Sequence, residues 1–126
     1  MNKEDNKRLK YIIEKLSKLP YVSCIFLFGS QLKKPRQDSD IDITVLTKKT
    51  TPEQEAKIMG CGNDLFDISI FSRLPLIIQF RILKEGKIIF CRDKQELHKT
   101  RVKVFIHYLD YSGFINNFYK GVIKNV

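Results

Sequence analysis

Asp40 and Asp42 occupy alternate positions in the run Asp40-Ile41-Asp42-Ile43-Thr44-Val45. Residues two apart in a strand share a face and lie about 6.6 Å apart along it. The two carboxylates therefore converge on one site while Ile41, Ile43 and Val45 turn toward a core. Asp is disfavoured in strands, and packing gives no reason for two on one face. Cation binding does, because Mg²⁺ takes one or two protein carboxylates together with substrate phosphates. Nine residues separate Asp40 from Phe28-Gly29-Ser30, a turn that ends another apolar run. Gly29 lets backbone N–H groups approach phosphate oxygens, and the Ser30 hydroxyl can donate to them. Leu65 to Phe71 alternates again, with Asp67, Ser69 and Phe71 on one face and Phe66, Ile68 and Ile70 on the other. Asp67 joins the acidic pair if its strand is their neighbour. Asp64 competes for that role, but Asp67 keeps the alternation. Three carboxylates, two divalent cations about 3.5–4 Å apart and a triphosphate-holding turn make a nucleotidyl-transfer site. Lys34 and Arg36, in the loop between Ser30 and Asp40, are read as phosphate contacts, with a solvated loop as the alternative.

Gly29-Ser30, nine intervening residues and Asp40-Ile41-Asp42 resemble the signature of the DNA polymerase β-type nucleotidyltransferases. That signature is a hydrophobic residue, Gly, Gly or Ser, a loop of about ten residues, then Asp-x-Asp. The chain is further similar to the minimal (MNT) branch, the MntA-type antitoxins paired with HEPN (HepT-type) toxins. Asp38 to Ile43 matches that branch's catalytic strand. Arg73-Leu74-Pro75 and Arg81 to Lys87 match its later helix and turn, and Tyr108 to Tyr111 with Phe118-Tyr119 its C-terminal helix. The Ser30–Asp40 spacing is one residue shorter than usual for the branch, and Gln31 to Arg36 lacks its customary glycine.

The resemblance implies a Mg²⁺-dependent enzyme with ATP as substrate. Asp40, Asp42 and Asp67 would be its catalytic and metal-holding residues. Gly29, Ser30, Lys34 and Arg36 would bind the nucleotide, and a tyrosine of a cognate HEPN toxin would accept AMP. Two other readings stay open: an antitoxin that neutralises by binding alone, and a nucleotidyltransferase acting on RNA or a small molecule.

A length of 126 residues with 43% hydrophobic content fits one globular domain, 1–126. Its core would span about 1–92, followed by a helical segment from about 93 to 126. The apolar runs are far shorter than the roughly 20 residues of a membrane helix. The charged start, Met1 to Asp5, precedes no apolar signal core, so a cytoplasmic location without membrane attachment is expected. Cys24, Cys61 and Cys91 are read as core residues of a reducing compartment rather than as a disulfide frame or a zinc site. The net charge of +9 is spread in runs no longer than two. It is read as solvated surface, and direct nucleic-acid binding is not expected.

The elements that must position these residues follow from periodicity and caps. Lys3 to Leu19 predicts an amphipathic helix ended by Pro20. Val22 to Phe28 reads as a central strand and Asp40 to Leu46 as the carboxylate strand. Thr51-Pro52-Glu53-Gln54 opens a helix with a capping box. Pro75 to Lys84 predicts a helix closed at Gly86, and Ile88 to Phe90 a short edge strand. A long helix is expected from Asp93 to about Lys124, with a kink at Gly113. Its aromatics, Phe105, Tyr108, Tyr111, Phe114, Phe118 and Tyr119, exceed what docking on a small domain needs, so part of them should form an exposed stripe. The fold class expected is an α/β, polymerase β-like sandwich: a small mixed sheet with helices packed on one face, the other partly open for the acidic site.

Overall fold

Every position of Val22–Phe28 except Ser23 is apolar, and this segment becomes the strand with a neighbour on each side. The structure, a computed structural model, describes residues 3–29, 41–63 and 65–124. In chain order these form α1 (Lys3–Ser17), β1 (Val22–Phe28), β2 (Ile41–Thr47), α2 (Pro52–Met59) and β3 (Phe66–Ile70). A 3-10 turn (Phe71–Arg73), α3 (Leu76–Glu85), β4 (Lys87–Cys91) and α4 (Lys94–Lys124) follow. The sheet order is β3-β2-β1-β4. β1 is antiparallel to β2 and to β4, while β2 and β3 run parallel.

The local signals account for the helix boundaries. The Thr51 hydroxyl accepts from the Gln54 N–H at 3.2 Å, and the Gln54 side chain accepts from the Thr51 N–H at 3.0 Å, completing the capping box. Asp93 Oδ1 accepts from the Glu96 N–H at 3.0 Å and caps α4. Gly86 closes α3 with its N–H on the Ile82 carbonyl at 2.8 Å. A Cβ there would stand 2.5 Å from that oxygen.

Alternation along β1 sends its side chains into two cores. Val22, Ile25 and Leu27 join Ile43, Val45 and Ile68 beneath Leu9, Ile12 and Leu16 of α1 and Ile58 of α2. Cys24 and Phe26 join Leu46 and Phe71 beneath Ile82 and Leu83 of α3 and Leu97 and Val104 of α4. The mixed α/β class is as expected, with α1 and α2 on one face. α3 and α4 additionally cover part of the other, which stays open around the exposed Asp67. Phe71 leaves the strand for the 3-10 turn and is buried against Phe26, their centroids 6.3 Å apart.

α4 docks through its first half. Phe80 of α3 stacks on Tyr108 with centroids 3.9 Å apart and meets Phe105 edge-on at 5.4 Å. Helix continues unbroken through Gly113, where a Cβ would meet nothing within 4 Å. Beyond it Phe114, Phe118 and Tyr119 are 65%, 63% and 65% exposed, forming the expected stripe. One corner is tied by Arg92, whose guanidinium donates to the carbonyls of Ser17, Leu19 and Val22.

Candidate active site

The end of β1 and the starts of β2 and β3 meet in one row. Phe28 is the register partner of Asp42, and Asp42 is the register partner of Asp67. Register partners lie side by side, about 4.8 Å apart across a sheet, so Asp42 and Asp67 share a face. The next pair along confirms the register, with Thr44 Oγ1 and Ser69 Oγ hydrogen-bonded at 3.1 Å. Asp42 is half-buried and Asp67 exposed.

At the end of β1, Gly29 takes φ 142°, a conformation that L side chains rarely adopt. The chain therefore leaves β1 beside Asp42 in a turn that requires glycine. Ser30, Lys34, Arg36 and Asp40, and the competing Asp64, lie outside the described residues. The structure thus brings together Gly29, Asp42 and Asp67 of the expected set. It also places Arg81 of α3 at the same end, its guanidinium 5.7 Å from the centre of the Phe28 ring. Sequence reading took Arg81 only as part of a helix. The spacing of Thr44 and Ser69, each two residues past its aspartate, was the available sign that the two strands run in register.

The donors suit a hard divalent cation. Asp42 and Asp67 offer carboxylate oxygens, one of them solvent-facing, as Mg²⁺ prefers. Like charges directly opposite one another destabilise a sheet, and a bound cation would offset that cost. Among the described residues no group of three or more His, Cys, Asp or Glu side chains could hold a metal. The third carboxylate of the expected set, Asp40, lies outside the described residues.

Comparison with known proteins decides the family. The model for "Polymerase beta, Nucleotidyltransferase" matches residues 10–95. The chain belongs to this nucleotidyltransferase family. The matched stretch runs from α1 into the start of α4 and contains every residue of the expected site. A candidate protein adenylyltransferase of Methanocaldococcus jannaschii is 38% identical to the nucleotidyltransferase over 69 residues. The match covers 52% of this chain and 53% of the relative, so the chain spans about half the relative's length. Two solved structures share the fold along most of its length. A chain of a toxin–antitoxin with AMP-PNP superposes with a TM-score of 0.68 at 21% identity, covering 90% of this chain and 97% of that one. A chain from the complex of a tri-AMPylated Shewanella oneidensis HEPN toxin with its MNT antitoxin gives 0.66 at 21% identity, covering 94% and 98%. Among the described residues no helix is long and apolar enough to cross a membrane.

Proposed function

We propose that this nucleotidyltransferase is the antitoxin of a HEPN toxin pair and silences its partner by transferring AMP from ATP to a toxin tyrosine. The observation that carries the reading is the register pairing of Asp42 with Asp67 beside the Gly29 turn. The bound AMP-PNP and the AMPylated toxin in the structural neighbours, and the name of the M. jannaschii relative, support the choice of nucleotide and acceptor. The exposed aromatic half of α4 supports a protein partner, since a contiguous apolar surface of this kind marks interfaces.

In this mechanism Gly29 and Ser30 seat the β- and γ-phosphates, and Asp40, Asp42 and Asp67 would hold two Mg²⁺. Bound Mg²⁺ supplies charge neutralisation for the triphosphate and for the departing pyrophosphate. Asp67, exposed on edge strand β3, accepts the proton of the acceptor hydroxyl. That oxygen attacks the α-phosphorus in line and the bond to the bridging oxygen of pyrophosphate breaks. Lys34 and Arg36 offset the charge that develops on the leaving group.

The test is intact-mass spectrometry of the cognate HEPN toxin after incubation with ATP, Mg²⁺ and a small amount of this chain. Added AMP units at substoichiometric enzyme are expected. An unmodified toxin that is still fully neutralised by the Asp42→Asn variant would overturn catalysis and leave neutralisation by binding.

A further inference from the structure

Cys24 and Cys91 are register partners on the antiparallel strands β1 and β4. Such partners lie about 4.5–5.5 Å apart at Cα, inside the roughly 4.4–6.8 Å that a disulfide spans. Their thiols are hydrogen-bonded, Sγ to Sγ, at 2.9 Å. That is closer than the roughly 3.5–4.0 Å at which carbon atoms rest in contact. Cys24 is fully buried, and Cys91 is partly open to solvent. The two are far apart in sequence, so spacing alone hid the pair. No part of the nucleotidyl-transfer site uses either thiol.

We infer that Cys24 and Cys91 form a reversible oxidation site that takes a low-molecular-weight disulfide as its oxidant and fastens edge strand β4 to central strand β1. Cys91, the accessible thiol, attacks the small disulfide as its thiolate, forming a mixed disulfide and releasing one small thiolate. Cys24 then attacks the Cys91 sulfur, its proton passing to the released thiolate, and expels the second small thiol. Two protein thiols become one disulfide while one small disulfide becomes two thiols. Burial first, and then the hydrogen bond and charge of Cys91, push the Cys24 thiol up to about 12. That agrees with Cys91 as the attacking partner and Cys24 as the resolving one. Oxidation would act on more than the sheet edge, because it removes the proton that Cys24 Sγ donates to the Asp93 carbonyl at 3.9 Å, at the start of α4.

The test uses the full chain carrying Cys61→Ser, so that the pair holds the remaining thiols. It is incubated with glutathione disulfide, blocked with an alkylating agent and weighed intact, then digested without reduction. The expected product has lost two hydrogen atoms, takes no alkyl group and yields a Cys24–Cys91 linked peptide. Dithiothreitol restores both alkylation sites, and the urea midpoint of the oxidised form exceeds that of the reduced form. With Cys91→Ser added, Cys24 should stay unmodified. With Cys24→Ala added, Cys91 should stop at the glutathione adduct. Two alkylatable thiols after oxidation, a stable glutathione adduct on the intact pair, or a covalent dimer would each overturn the inference.

Discussion

The same substitution, Gly→Ala, should change stability in opposite directions at Gly29 and Gly113. At Gly29, φ is 142°, and holding an L residue in so sparsely populated a region costs about 1–3 kcal/mol. Alanine also stiffens the unfolded chain, returning about 0.4–1 kcal/mol. Taking the middle of each range, about 2 less about 0.7, the net loss is about 1.3 kcal/mol. At about 4 °C per kcal/mol for a chain of this length, the melting midpoint falls by about 5 °C. At Gly113 the backbone is helical and a new Cβ meets nothing within 4 Å. There alanine gains about 0.8–1 kcal/mol of helix propensity. Urea and thermal unfolding followed by circular dichroism measure both effects. Titration of ATP with and without Mg²⁺ adds the functional half: affinity falls for Gly29→Ala and is unchanged for Gly113→Ala. Effects of the same sign, or a Gly29→Ala variant that melts and binds like the parent, would refute the view that the turn after β1 is built on glycine for its conformation.

Asp67→Asn should keep ATP affinity while transfer to the toxin drops at least about 10²-fold, the low end for a lost proton acceptor; equal losses of binding and transfer would remove Asp67 from that role. Phe80→Ala opens the contact between α3 and α4, and should cost about 3 kcal/mol, or about 12 °C, by differential scanning calorimetry. Phe118→Ala, on the uncovered half of α4, should change stability by less than about 0.5 kcal/mol yet weaken toxin binding measured by calorimetric titration. Cys24, raised from an ordinary 9.0 to about 12 by burial and by Cys91, keeps its proton in the folded state after the unfolded chain has released it. Its contribution to stability is therefore full below pH about 9 and declines toward pH about 12. Melting midpoints under reducing conditions should follow that decline and flatten in Cys24→Ala.

Features written in neighbouring residues were legible before the structure. Thr51 and Gln54 announced the start of α2, and Val22–Phe28 announced a strand buried on both faces. The alternation of Asp67 with Phe66 and Ile68 placed one carboxylate outward. The side-by-side position of Asp42 and Asp67 needed more, because it depends on α2 carrying the chain across to a parallel neighbour. An amphipathic helix shows which of its own faces is apolar but not which face of a sheet it will cover. That is why α3 and α4 on the second face were not foreseen. Phe71 continues the alternation of β3 yet turns away into a 3-10 turn, because Phe26 offers it a buried partner. Arg92 reads as one more surface cation until the carbonyls of Ser17, Leu19 and Val22 are seen converging on it. At Gly113 the low helix propensity of glycine does not interrupt α4, which continues as helix to Lys124.

The strand order also bears on how the protein is made. β1 is central, but one of its two neighbours, β4, is synthesised long after it. Until then β1 keeps an open hydrogen-bonding edge, and Phe26 lacks the Leu97 and Val104 side chains that cover it. At about 5–20 residues per second, a nascent chain carries this exposure for seconds. Open apolar edges template pairing between chains, so the interval favours capture by chaperones or by other nascent copies. The elements that end the hazard, β4 and α4, are made after the strand they cover. A chain released before Lys87 would be an adhesive three-stranded sheet rather than a weaker form of the whole.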